Sequence, residues 1–181
     1  MSGDYVFVTN KGLYETRGGE LETVVLLGEH RDEVHARWSP KSPIDSWRGG
    51  DGPEPTGPWS DRLNRSGEGE EVRVDYDAAD RVAFIEVHEP ETAIAVDDEW
   101  LYLMRRHHTE ALAELGENGF GDPEKGSEGF TFHDRGLGLW VPWIDDDEDD
   151  PLDEDDENYG VRAIAIFAPG YYESSREPAK S

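Results

Sequence analysis

VRVDYDAADRVAFIEV, residues 72–87, decides the fold. Val72, Val74 and Tyr76 alternate with polar neighbours, DAAD interrupts, and Val82 and Phe84 resume the alternation. Successive side chains of a strand point to opposite faces, so a period of two on both sides of a turn predicts a β-hairpin with one buried face.

Upstream, YVFVTNKGLYETRGGELETVVLLG (residues 5–28) holds two apolar runs, Tyr5 to Val8 and Val24 to Leu27, around a Gly18-Gly19 turn, and reads as extended structure. EHRDEVHARW follows, with Val34 and Trp38 four apart and Pro40 closing it, a short helix. Ser39 to Gly69 is rich in Pro, Gly and Ser with isolated Trp47 and Trp59, and reads as a long connector.

Downstream, TAIAV is a short strand. In DDEWLYLMRRHHTEALAELGENG, Leu101, Met104, His108, Ala111 or Leu112, and Leu115 recur every three or four residues. That spacing predicts a helix over Arg105 to Leu115, beginning at Asp97 or after Met104, and places His107 and His108 in mid-helix. GFTFHDRGLGLWVPW alternates Phe130 with Phe132 and Leu137 with Leu139 around glycines, and VRAIAIFAPGYYE is apolar on both faces, as a central strand requires.

The halves run in the same order: apolar lead-in, helix, polar connector, then two strands joined by an acidic turn. The expected fold is α+β, a single compact domain over residues 1–181 built from two tandem αββ-like units, 20–90 and 91–173, whose helices pack on one face of an antiparallel sheet. The carboxylates of 144–160 take the place of DAAD and form an enlarged acidic hairpin loop; 174–181 is a flexible tail.

Charge narrows the function. Forty-three Asp and Glu face 17 Lys and Arg, a net of -26, and the lysines are only Lys11, Lys41, Lys125 and Lys180. In molar salt the Debye length is roughly 3 Å, so carboxylates that repel in dilute buffer are screened and hold water instead. The balance is that of a halophilic protein. No basic stripe exists to displace counterions from a phosphate backbone, which argues against direct nucleic-acid binding. No cysteine is present, so disulfides, thiolate metal sites and thiol catalysis are excluded. MSGDYVFVTN lacks a basic segment leading into an apolar one and no run of about 18 apolar residues occurs, pointing to a soluble, cytoplasmic protein without membrane contact.

The motifs LLGEHRDEVHARW, VDYDAADRVAFIEV, ALAELGENG, DRGLGLWVPW and AIFAPGYYE, in that order, resemble those of a set of uncharacterised bacterial proteins with tandem helix-plus-β-hairpin repeats. The arrangement is similar to that of the β-lactamase inhibitor proteins, which present a surface to another protein. The resemblance runs from about Glu20 onward and implies a protein-binding role; HARWSP departs from the leucine- and glycine-terminated first helix it leads one to expect.

Catalytic signatures are wanting. His30 and His35 are five apart, about 140° around a helix, so they do not share an ion. His88 and His133, on strands beside Glu86 and Asp134, are the candidate metal ligands. RGGDGPEP has no Lys-Ser/Thr to make a phosphate loop, and no serine sits in G-x-S-x-G. DDDEDDPLDEDDE has no glycine for a calcium loop. The tryptophans read as structural anchors, and Tyr171 and Tyr172 as core and rim residues at a strand end. The expected function is a non-catalytic protein-interaction module with no cofactor; the alternatives are a metal-dependent hydrolase on His88 and His133, and an acidic DNA mimic.

Overall fold

The computed structural model describes residues 4–40, 42–49, 56–64, 71–88, 91–97, 99–142 and 160–172. Trp143, the carboxylates of 144–159 and the tail 174–181 lie outside the described residues. Thirteen strands and two helices occur among those described: β1 (Tyr5–Val8), β2 (Gly12–Arg17), β3 (Glu20–Leu26), α1 (Arg31–Trp38), β4 (Ile44–Arg48), β5 (Trp59–Asn64), β6 (Glu71–Tyr76), β7 (Val82–Val87), β8 (Ala93–Val96), β9 (Glu99–Leu101), α2 (His108–Glu117), β10 (Glu124–Lys125), β11 (Gly129–Phe132), β12 (Leu137–Trp140) and β13 (Ala163–Phe167). The protein is therefore α+β and dominated by sheet.

An eight-stranded antiparallel sheet runs β10-β11-β12-β13-β7-β6-β5-β4, and a five-stranded sheet runs β3-β2-β1-β8-β9 with β1 and β8 parallel. The hairpin at 72–87 forms, with Val72 opposite Val87 and Val74 opposite Ile85, but a register shift between Asp75 and Tyr76 breaks the alternation of β7, so Ile85 joins Val82 on the inner face and Phe84 turns outward. Its turn has local chemistry: Asp77 Oδ1 accepts the amides of Ala79 and Arg81 at 2.8 and 2.9 Å. β13 is central, flanked by β12 and β7, and buried throughout.

Alternation divides the large sheet into two faces. Leu63, Val72, Val74, Tyr76, Ile85, Val87, Ile164, Ile166, Leu137, Leu139, Phe130 and Phe132 point inward and join one apolar cluster with Val34 and Trp38 of α1, Ala111 and Leu115 of α2, and Tyr5, Phe7, Leu13 and Ile94 of the smaller sheet. The outward residues Phe84, Ala165 and Phe167 form a separate cluster, over which Tyr171 and Tyr172 fold back.

Two expectations change. The connector Ser39 to Gly69 contains β4 and β5, so each helix precedes four strands of the large sheet rather than two. These strands are hard to read because β4 is almost wholly exposed and β5 turns Trp59, Asp61 and Leu63 inward, a carboxylate standing where an apolar residue would mark the alternation. The second helix starts at His108, not Arg105 or Asp97. Asp97 and Arg105 have φ of 51° and 63°, left-handed conformations that an α-helix does not pass through. His107 is accordingly the N-cap and His108 the first helical residue.

Both helices are approached in the same way. Gly28 and Arg105 take positive φ, each three residues ahead of the first helical residue, Arg31 and His108 respectively. His30 and His107 cap α1 and α2 through ring nitrogens that accept Asp32 and Thr109 amides. Each cap forms an isolated antiparallel bridge with a residue just ahead of a strand of the large sheet, His30 with Arg81 before β7 and His107 with Gly160 before β13. The residue before each cap pairs with one eight positions on, Glu29 with Arg37 and, charges exchanged, Arg106 with Glu114.

Candidate functional site

Arg31 and His35 lie one turn apart on α1 and so reach the same point beneath it. That point is the Asp61 carboxylate, fully buried on the inner face of β5. Arg31 Nε donates to Oδ2 at 3.2 Å and Nη2 to Oδ1 at 3.1 Å. His35 Nε2 lies 2.6 Å from Oδ2, Ser46 Oγ donates to Oδ1 at 2.6 Å, and Tyr76 Oη donates to Oδ2 at 2.8 Å. Because a carboxylate only accepts, His35 carries its proton on Nε2 here. Burial alone would raise the Asp61 pKa, but hydrogen bonds from Arg31, Ser46, His35 and Tyr76 outweigh it and hold the group below the usual carboxylate range. Burial first, then the Asp61 charge and hydrogen bond, push Tyr76 far up, so it stays a neutral donor.

This cluster holds Ser, His and Asp, yet its geometry is that of an anchor. An ionised carboxylate offers about four lone-pair sites, and five donors converge on this one. Ser46 donates to Asp61 rather than to His35, so no base activates the hydroxyl. The result ties α1 to β4, β5 and β6.

The outer face has a second node. Arg73 grips Asp75 with Nε and Nη2 at 3.1 and 2.9 Å, and Tyr171 Oη donates to Asp75 Oδ2 at 3.0 Å. The guanidinium of Arg73 lies 5.8 Å from the Phe84 ring centre, and Tyr171 stacks on the same Phe84 ring at 5.1 Å. Beside it, Gly129, Gly138, Ala163 and Ala165 lie low between Trp140 and Tyr172 and floor a recess of about 260 Å³. Trp47 and Trp140 are exposed on this same face, and Trp100 is exposed on the smaller sheet. Only Trp38 among the described tryptophans is a fully enclosed anchor; Trp59 is half-buried, with Arg31 and Arg48 at 4.0 and 4.4 Å from its ring.

The sequence candidates fall apart from one another. His88 pairs with Glu86 at 3.0 Å and meets the edge of Trp140; the Glu86 hydrogen bond raises its pKa against desolvation. His133 pairs with Glu124 at 2.8 Å, not with Asp134, and sits against Phe167 and Tyr172. Register places His88 beyond the Val87-Ile164 pair and His133 beyond Phe132-Leu137, three strands across and four residues along. At about 4.8 Å per strand and 3.3 Å per residue the two imidazoles are on the order of 20 Å apart, far outside a shared coordination sphere. Among the described residues no three His, Asp or Glu side chains are grouped as ligands for one ion. His30 caps α1 and His35 pairs with Asp61, so the two have separate partners.

The chain has no match among protein-family models, curated proteins or solved structures.

Proposed function

We propose that the chain is a non-catalytic protein-interaction module that binds its partner with the outer face of the eight-stranded sheet. The observation that carries this is an asymmetry: α1 and α2 bury their apolar residues in the inner cluster, while the outer face presents Trp140 and Tyr172 around a floor of glycine and alanine, with Tyr171 packed on Phe84 and Trp47 exposed on β4 at the sheet's edge. Aromatic side chains beside a depression are what a binding hot spot uses, because they bury large area at small entropic cost. Arg62 and Arg73 lie on the same face, and Arg is enriched at interfaces for its fixed donor geometry.

The finer architecture belongs to the same proposal. Two tandem units, each a helix followed by strands of one sheet with both helices on a single face, are supported by the matched caps, the matched bridges and the exchanged ion pairs. A duplicated scaffold of this kind is similar to the β-lactamase inhibitor arrangement. The net charge of -26 supports a halophilic, cytoplasmic setting. No helix among the described residues is long and apolar enough to cross a membrane.

The test is site-specific photocrosslinking in molar KCl from Trp140 and Arg62, with Leu21 of the smaller sheet as the comparison. A discrete adduct from the first two, competed by unlabelled protein, is expected, and the Arg62 adduct should be lost when Trp140→Ala is introduced. Equal labelling from Leu21, or none from the outer face at any salt, refutes the reading.

A further inference from the structure

We propose that the cavity between β5, the β6–β7 turn and the segment after β13 receives a guanidinium or alkylammonium group, presented as an arginine or lysine side chain by a basic partner protein. This rests on the reading of the chain as a protein-binding module and names the partner's chemistry. The cavity has a volume of about 880 Å³ and is lined by Trp59, Tyr76, Tyr171 and Tyr172 together with Asp75 and Asp77. That is room for a long side chain and the peptide flanking it. No Lys or Arg is among the described lining residues.

The molecule itself shows what such walls hold. Asp61 with Trp59 and Tyr76 holds Arg31, whose guanidinium is 4.0 Å from the indole centre and 5.8 Å from the Tyr76 centre. Asp75 with Phe84 holds Arg73. In both places a carboxylate neutralises the cation while an aromatic ring attracts it through its quadrupole. The cavity lies between these two nodes and shares Trp59, Tyr76 and Asp75 with them, adding Tyr171, Tyr172 and Asp77, and none of its described lining residues is a cation. Arg48 borders only the adjoining recess of about 210 Å³, where it lies over Trp59 and where Asp80 adds a further carboxylate. Asp75 is shared with Arg73, so the exposed Asp77 supplies the charge that an incoming cation meets.

A protein partner is favoured over a free small cation by position, and a basic one over an acidic one by charge at contact. Asp75, Tyr171 and Tyr172 belong to the outer face, so a partner covering that face passes over the cavity mouth. Molar salt screens the long-range field of the net charge of -26, but at contact distance Asp75 and Asp77 still complement a basic side chain and oppose an acidic one.

The experiment titrates ¹⁵N-labelled protein, in molar KCl to screen non-specific attraction, with acetyl-Gly-Arg-Gly-amide and with the uncharged citrulline peptide of the same shape. Saturable shifts confined to Ser60, Asp75, Asp77, Ala168 and Gly170 are expected, at least tenfold weaker with citrulline. Asp77→Asn keeps an oxygen to accept the turn amides and is expected to weaken arginine binding at least tenfold, whereas Glu20→Gln, an equal charge change on β3, leaves it unchanged. Ala78→Phe, at an exposed turn residue on the cavity wall, fills the mouth without altering charge or core and is expected to abolish the shifts. Equal binding of the citrulline peptide, equal loss in Asp77→Asn and Glu20→Gln, or shifts spread over the whole acidic surface overturn the proposal. A protein that fails this titration yet crosslinks through Trp140 keeps its binding face and loses only the cation pocket, so the two failures are told apart.

Discussion

Replacing Asp61 by asparagine tests whether the buried carboxylate is the anchor its geometry describes. Asparagine is nearly isosteric, so no cavity opens; what is lost is the charge and about half of the acceptor capacity, an NH2 donor taking the place of one oxygen. Arg31 is then left as a mostly buried cation, its side chain 16% exposed, and the donors of His35, Ser46 and Tyr76 compete for one amide oxygen. Removing one partner of a buried ion pair costs about 3–5 kcal/mol. For a chain of this size each kcal/mol lowers Tm by about 2–4 °C, so a fall of roughly 6–20 °C is expected. The assay is thermal and urea unfolding in molar KCl, repeated for Arg31→Met and the double variant. Because the side chains are in contact, the double variant should be about 1–3 kcal/mol more stable than the sum of the single losses predicts. A loss under about 1 kcal/mol for Asp61→Asn, or strict additivity with Arg31→Met, would show that the five donors are incidental.

The Asp61 pKa is lower folded than unfolded, so its contribution is complete above about pH 4 and is lost as pH falls through the folded value; urea midpoints between pH 5 and 2 should fall steeply in the wild type and less so in Asp61→Asn. Burial raises Tyr76 and Tyr171, so stability should decline once pH passes about 10, where unfolded tyrosines ionise, and spectrophotometric titration should show these two ionising only on unfolding. Gly136 has a φ of 59° and a Cβ there would stand 2.5 Å from the Phe167 carbonyl oxygen, whereas Gly28, φ 78°, has open space. Gly28→Ala should therefore cost about 1 kcal/mol, the left-handed penalty alone, and Gly136→Ala clearly more by urea unfolding. With a net charge of -26, Tm should rise as KCl goes from about 0.1 to 2 M, and a flat or falling profile by calorimetry would remove the halophilic reading.

How much of this was legible depends on what each element shows to water. The hairpin at 72–87 and the central strand Ala163–Phe167 were readable because inward positions are apolar without exception and the turn residues have their own hydrogen bonds. The start of α2 was not. Leu101, Leu103 and Met104 are all buried, and three buried residues followed by a helix counterfeit one longer helical stripe; backbone reversals at Asp97 and Arg105, residues with no sequence bias for positive φ strong enough to notice, separate them. β4 and β5 were hidden for the opposite reason, exposure at one and a buried acid at the other.

That buried acid explains why the most structured part of the chain was also the least visible. In most proteins an Asp between Trp59 and Leu63 on an apolar face would stand out as an anomaly. Here it is one of 43 acidic residues, and residue type alone cannot distinguish those that are buried, which among the described residues are Glu15, Asp61 and Asp75. The distinguishing signal is relational. Asp61 occupies the inward register of β5 opposite Val74, with Arg31 and His35 one helical turn apart above it; Asp75 occupies the outward register of β6 two residues from Arg73. Each is matched by one guanidinium and one tyrosine hydroxyl, Arg31 with Tyr76 on one face and Arg73 with Tyr171 on the other. In a chain with 17 basic residues, the placement of a cation is therefore more informative than that of an acid: arginines mark the points where carboxylates are withdrawn from water, and the aromatic cavity between Arg31 and Arg73 is where the pattern calls for one more.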